Sequence, residues 1–246
     1  IKILLASLIS GLLGLVGGIA LLIKSSWVPR FSLHFISFAV GVLLATATLD
    51  LLPEAVEFAG EHPEALFVGL LMGIVGFFML ERLIFQFHPH HHEDLDHHHA
   101  APTLLLVGDI VHNFIDGVLI AVTFLANPAL GLITAVAVAA HEIPQEISDF
   151  SVMLHHGWSK TKVLWANIFS ALASVFGAII AFSLKDLIIP FIPQLLALTA
   201  GIFIYIAVAD LIPEVTVRSL RDKTSHVLAL LLLGIISVWV LGMYLG

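Results

Sequence analysis

The sequence predicts an all-α polytopic membrane protein, with eight transmembrane helices in an inverted-repeat arrangement around helices four and five. Three observations carry this reading. Of 246 residues, 59% are hydrophobic and only 11% charged, with a mean hydropathy of +1.07, far from the balance of a soluble domain. The apolar residues gather into eight stretches of bilayer-spanning length, 1–23, 31–53, 64–87, 102–126, 129–154, 161–184, 190–213 and 226–245. Finally, Asp50-Leu51-Leu52-Pro53-Glu54 at the end of the second stretch is answered by Asp210-Leu211-Ile212-Pro213-Glu214 at the end of the seventh. Two His-led motifs lie between them, so the order is nearly palindromic, as an axis in the membrane plane would require.

Each element has its own justification. The first span contains Gly11, Gly14, Gly17 and Gly18, which favour a packed helix over a signal sequence. The second leads into an acidic loop holding Glu54, Glu57, Glu61, His62 and Glu64. That loop reads equally well as a solvated surface and as a device that concentrates cations. The third span, with Gly69 and Gly73, ends before a histidine-rich loop at 88–101. There His88, His90, His91, His92, His97, His98 and His99 alternate with Glu93, Asp94 and Asp96, a density that points to weak metal capture. Spans four and five carry the polar motifs, and span six repeats Asn167, Ser170 and Ser174 on one face, ordinarily a helix-packing pattern. The eighth is apolar apart from His226 and Ser237. All 246 residues form one transmembrane domain, with almost nothing left for a soluble one.

Lys24, Arg30, Arg82, Lys160, Lys162, Arg218, Arg221 and Lys223 fall on one side of the membrane, and only Lys2 and Lys185 on the other. Short cytoplasmic loops carry the positive excess, so both termini are expected outside and the histidine-rich loop in the cytoplasm. An inner or plasma membrane of the cell is the expected location. The absence of cysteine excludes disulfides, thiolate zinc ligands and thiolate copper sites.

The chemistry is concentrated in His112-Asn113-Phe114-Ile115-Asp116-Gly117 and His141-Glu142-Ile143-Pro144-Gln145-Glu146. At 3.6 residues per turn, Asp109, His112, Asn113 and Asp116 fall within roughly a 100° arc of span four. His141, Glu142, Gln145, Glu146 and Asp149 fall within roughly 140° of span five. Ionisable groups at bilayer depth cost several kcal/mol unless paired, hydrated or metal-bound. A lone Asn or His would read as an interhelical hydrogen bond, but two His and five carboxylates on two polar faces point to metal or proton binding. Pro144 removes a backbone donor and should free the Ala140 carbonyl beside His141, and Gly117 permits close helix approach.

These motifs resemble those of the ZIP metal-ion transporters, specifically the branch reading HNFxDG and HEIPHE in its fourth and fifth spans. The resemblance covers the whole chain, including span count, outside termini and the histidine-rich loop. It implies inward movement of a divalent cation, zinc before cadmium, iron or manganese, through an often binuclear site between spans four and five. Carried over, His112, Asn113 and Asp116 are ligands from span four, and His141, Glu142 and Gln145 from span five, with Glu146 adjacent. The family branch has His where this chain has Gln145, a weaker ligand, so one metal position is expected to bind loosely or to prefer manganese or iron. Asp50 and Asp210 resemble pathway positions, with hydrogen bonding near Pro53 and Pro213 as their alternative role. The metal is cargo; no organic cofactor and no nucleic-acid partner are expected.

Two alternatives belong to other classes. An intramembrane zinc protease needs HExxH, and here the second His is replaced by Gln145 and Pro144 interrupts the helix, so no enzyme is expected. A passive metal channel shares every residue pattern with a carrier. Small-residue pairs, Gly14 with Gly18 and Gly69 with Gly73, suit either a homodimer interface or internal packing.

Overall fold

The computed structural model describes residues 1–23, 28–60, 63–86, 100–219 and 224–245. Among these the regular structure is entirely helical. Helix α1 is Lys2–Ile23; α2 runs Val28–Ala45, through a π-helical turn Thr46–Leu51, to Leu52–Ala59; α3 is Glu64–Gln86; and α4 is Ala100–Ala126. Helix α5 is Pro128–His155 and α6 is Lys160–Ser183. Helix α7 runs Ile192–Tyr205, through a second π-helical turn Ile206–Leu211, to Ile212–Ser219, and α8 is Thr224–Leu245. Seven helical stretches are long and apolar enough to cross a membrane. The remaining helix, α5, is 28 residues long but interrupts its apolar run with Glu142, Glu146 and Asp149. At 1.5 Å per residue it reaches about 42 Å, more than a bilayer core.

Local chemistry sets the helix ends near the centre. Asn127 alone separates α4 from α5; its side chain accepts from the Ala129 amide at 2.9 Å, with Pro128 at the first helical position. Ser159 caps α6 by accepting from the Lys162 amide at 3.2 Å. Gly157, at φ 83°, closes α5.

The two π turns account for helices that continue past the expected span ends at 53 and 213, to Ala59 and Ser219. A proline inside an α-helix clashes with the carbonyl four residues earlier and withholds its donor. Each wide turn stops just before the Leu52-Pro53 or Ile212-Pro213 pair, so each proline falls in the first turn of a resumed α-helix, where it is tolerated.

Four helix pairs dominate the packing: α1 with α5, α4 with α6, α3 with α7, and α2 with α8. Glycine lets them approach backbone to backbone. A Cβ on Gly117 would strike the Ser174 carbonyl, and one on Gly177 the Phe114 carbonyl, so α4 and α6 are interlocked. Gly73 with Gly201 and Gly41 with Gly234 do the same for α3–α7 and α2–α8. The pairs singled out for a dimer interface are consumed internally: Gly14 and Gly18 meet Glu142 and Phe150 of α5, and Gly69 and Gly73 meet Gln194 and Leu198 of α7. The apolar core lies largely on α2, α5 and α7, with Leu43, Val138 and Phe203 fully or almost fully buried. Phe67, Leu71, Phe176 and Trp239 are exposed outward, as lipid contact requires.

Candidate metal centre

The centre lies between α4 and α5. Residues 109, 113 and 116 of α4 and 141, 142, 146 and 149 of α5 are buried, and the polar faces expected from helical periodicity meet each other. Helix α1 presses on this seam from behind, its Gly14 resting on the Glu142 side chain.

His112, Asp116, His141 and Glu142 converge on one point. The Nε2 atoms of His112 and His141 are 3.2 Å apart, and His141 Nε2 lies 3.3 Å from Asp116 Oδ2. His112 Nε2 is 3.5 Å from Glu142 Oε1 and 3.8 Å from Asp116 Oδ2, and His141 Nε2 is 3.8 Å from Glu142 Oε1. Tetrahedral zinc with bonds of about 2.0–2.1 Å holds its ligand atoms about 3.3 Å apart. The five separations cluster around that value. A set of two imidazoles and two carboxylates suits zinc better than harder ions.

The supporting shell is in place. His141 Nδ1 lies 3.1 Å from the Ala137 carbonyl, which takes the Nδ1 proton and leaves the Nε2 lone pair for a metal. The His112 imidazole stands edge-on to Phe77 of α3, centroids 5.5 Å apart, and His141 is edge-on to Phe203 of α7 at 6.2 Å. Both rings are thus oriented by helices outside the α4–α5 pair.

The other expected ligands stand differently. Asn113 donates its amide to Asp109 Oδ1 at 3.0 Å and to Ser170 Oγ at 3.4 Å. Gln145 donates to the same Asp109 oxygen at 3.4 Å. Glu146 is fully buried and joins Asp109 and Glu142 in a second group of mutually close carboxylates. Asp109 was visible in the sequence as part of the α4 polar face, but nothing there marked it as the partner of both amides. In span six, Ser170 reaches Asn113, Ser174 donates to the Ser7 and Ala171 carbonyls, and Asn167 donates to Met153 Sδ and the Val163 carbonyl, which is helix packing.

A cavity of about 590 Å³ opens beside the centre, lined by His112, Asp109, Gln145 and Asp149, and farther out by Tyr205, Asp210 and the α3 pair Glu81 and Arg82. A smaller cavity of about 170 Å³ is lined by Asp50, Glu54, Glu57 and Asn127. Asp50 and Asp210 thus line different cavities, and Glu54 accepts from the Asn127 amide at 3.2 Å. The histidines at 88–99, with Glu61 and His62, lie outside the described residues. His155 is exposed at the end of α5, and His156 Nδ1 lies 2.8 Å from the Val152 carbonyl.

Comparison with known proteins agrees with this chemistry. The family model described as ZIP Zinc transporter matches residues 1–104 and 88–242. The chain is 32% identical over 152 residues to zinc transporter zipt-7.2 of Caenorhabditis elegans, covering 57% of this chain and 31% of that protein. It is 38% identical over 111 residues to zinc transporter ZIP10 of Danio rerio, covering 45% and 13%, and 34% identical over 144 residues to zinc transporter ZIP4 of Mus musculus, covering 56% and 21%. The match therefore spans less than a third of each of these longer relatives. With both halves of its length matched and its polar motifs gathered at one buried centre, the chain belongs to the ZIP zinc transporter family.

Proposed function

We propose that this chain carries a divalent cation, zinc by its ligand set, into the cytosol through the centre between α4 and α5. The observation that carries the reading is the spacing of His112, Asp116, His141 and Glu142, whose donor atoms lie 3.2–3.8 Å apart among largely buried side chains. Asn113, Gln145 and Glu146 complete the proposed ligand set around a binuclear site, and Glu142, common to both carboxylate groups, is the natural bridge. Cadmium, iron and manganese are the other cargoes such donors accept.

Charge supports the inward direction. The larger cavity opens where Glu81, Arg82 and Glu214 lie, the side to which the positive-inside rule assigns the cytoplasm, with both termini on the other. Accordingly the centre faces inward in this conformation, and a cell membrane with an inside-negative potential supplies the drive. A divalent ion gains about 4.6 kcal/mol at ~100 mV.

Alternating access is supported by the packing. Helices α1, α4, α5 and α6 are joined through α4–α6, α1–α5, α4–α5 and α1–α6 contacts, and α3 packs with α7 and α2 with α8. Exchanging α1 with α6, α2 with α7, α3 with α8 and α4 with α5 maps the four dominant pairs onto each other, and it also exchanges the two π turns. That is the signature expected of an inverted repeat, with the α1–α4–α5–α6 group moving against the rest. A homodimer would have to form on faces other than the glycine pairs.

The test is radiotracer zinc uptake into proteoliposomes, with counterflow to separate a carrier from a passive channel. Saturable uptake stimulated by zinc preloaded inside is expected. Uptake indistinguishable from empty liposomes would refute the reading, and unsaturable flux without counterflow would favour the channel.

A further inference from the structure

Asn127 is the single residue between α4 and α5, the two helices that carry the metal-centre side chains. Most of its polar groups are spent inside that pair. Its backbone amide donates to the Thr123 carbonyl of α4 at 2.9 Å, and its carbonyl accepts from the Gly131 amide of α5 at 3.0 Å. Its side-chain Oδ1 accepts from the Ala129 amide at 2.9 Å. Asn127 is thus tied to both helices and moves with them. Of these groups only Nδ2 reaches outside the pair, donating to Glu54 Oε1 of α2 at 3.2 Å.

This hydrogen bond sits where α4–α5 meets α2, at the end of the helices opposite the 590 Å³ cavity and therefore on the outer side. The 170 Å³ cavity beside it is lined by Asp50, Glu54 and Glu57 of α2 and by Leu130 and Ile133 of α5. Leu130 and Ile133, 4% and 3% exposed, join the same buried cluster as Leu43, Ala47 and Leu51 of α2. Apolar packing between α2 and α5 accordingly closes the centre from the outside. Apolar burial has no direction of its own, whereas a hydrogen bond fixes one register of the two surfaces. The closed seam also carries a cost. Thr46 of the α2 π turn and Thr134 of α5 are fully buried, and neither hydroxyl has a hydrogen-bond partner. The π turn packs against α5, and Thr134 lies two turns outward of His141 on the same face. Unpartnered buried hydroxyls disfavour this conformation, and water reaching them in an open seam removes the penalty. A tie that holds the seam shut offsets it.

We propose that the Asn127–Glu54 hydrogen bond is an outer latch, which holds the transporter inward-facing and breaks each time the centre is exposed to the outside. The proposal rests on the alternating-access reading above. Asn127 and Glu54 are positioning residues, since neither belongs to the groups of side chains that converge at the centre. The latch joins the connection between the ligand-bearing helices to α2, so its strength sets how the two conformations are populated.

The chain contains no cysteine, so each introduced thiol is unique. Ile133→Cys reports on the outer seam, and Ser148→Cys, lining the larger cavity, reports on the inner side. Each is placed in the full chain in lipid nanodiscs, and the rate of alkylation by a charged maleimide is measured. Asn127→Asp keeps the oxygen that caps α5, removes the donor and sets a second carboxylate against Glu54. It should speed labelling at position 133 roughly tenfold and slow it at position 148, as loss of a hydrogen bond to a charged group predicts. Glu54→Ala should do the same from the other side of the bond. Glu54→Gln alone keeps an accepting oxygen and should label like the parent. Combined with Asn127→Asp it supplies a donor to the new carboxylate, remaking the bond in reverse, and should return both rates toward the parent. Parent rates in Asn127→Asp and Glu54→Ala, a rise at both positions together, or no rescue in the double variant overturns the latch. Zinc counterflow by the parent is measured alongside: its presence leaves the carrier standing when the latch falls, and its absence defeats the carrier reading itself.

Discussion

His112 and His141 face each other across the α4–α5 seam with their Nε2 atoms 3.2 Å apart. Two neutral imidazoles can form one N–H···N hydrogen bond at that distance, with His141, whose Nδ1 faces the Ala137 carbonyl, accepting at Nε2, but that bond leaves Asp116 Oδ2 and Glu142 Oε1, which approach the same point, without a hydrogen-bond partner. An arrangement of four donors around one position is better explained by an ion than by a hydrogen bond. His112→Ala, His141→Ala and Asp116→Ala should each reduce zinc uptake at least tenfold, since loss of one of four ligands weakens zinc by several kcal/mol at full strength. The check is initial-rate uptake normalised to inserted protein. Parent rates in all three would remove these residues from the ligand set.

Gln145→His tests the position where this chain departs from the HEIPHE pattern. The native amide donates to Asp109 at 3.4 Å and lines the cavity beside the carboxylate group. An imidazole there would add a nitrogen donor beside Asp109 and shift the metal preference toward zinc over manganese. Zinc should bind tighter by roughly 10- to 100-fold, with slower turnover where release becomes limiting. Calorimetric titration with both metals reads this directly; an unchanged zinc-to-manganese ratio would place residue 145 out of reach of the metal.

Much of this was legible because the membrane makes polarity expensive. His112, Asp116, His141 and Glu142 stand out in apolar helices, and the 3.6-residue period already put them on faces that had to meet. What the period cannot tell is which side chains pair across the seam. Asn113 and Asp109 share a face one turn apart, yet only the packed structure shows the Asn113 and Gln145 amides converging on Asp109. Helix partners were equally hidden: Gly117 signals close approach, but the neighbour is α6 at Ser174, since glycine marks a contact without naming the other backbone. The π turns escaped for a related reason, because Pro53 and Pro213 look like helix ends until a wider turn absorbs them.

The loop histidines should tune transport without enabling it. They lie outside the spans in sequence, and four side chains able to hold a metal already converge at the buried centre between α4 and α5. Replacing all seven of His88, His90, His91, His92, His97, His98 and His99 with Ser should lower the metal retained by the protein and leave uptake at saturating zinc within about twofold. Complete loss of uptake in a correctly folded variant would move an essential ligand into the loop.

The interlock between α4 and α6 gives the last prediction. Gly117 follows Asp116 directly, and a Cβ there would strike the Ser174 carbonyl; a Cβ on Gly177 would strike the Phe114 carbonyl one turn away. Neither obstacle is a side chain that can swing aside, so the helices must separate. Overpacking of this kind costs about 1–3 kcal/mol, and separation also shifts Asp116 and His112 relative to α5. Gly117→Ala and Gly177→Ala should therefore each lower the melting temperature in detergent by about 2–6 °C and reduce uptake together with stability. Gly76 on α3 has no heavy atom within 4 Å of its would-be Cβ. Gly76→Ala should accordingly match the parent or exceed it slightly, because alanine is the better helix former. Equal melting temperatures for all three variants would mean that α4 and α6 can part without cost, and the rigid α1–α4–α5–α6 unit on which the inward-carrying reading relies would have to be abandoned.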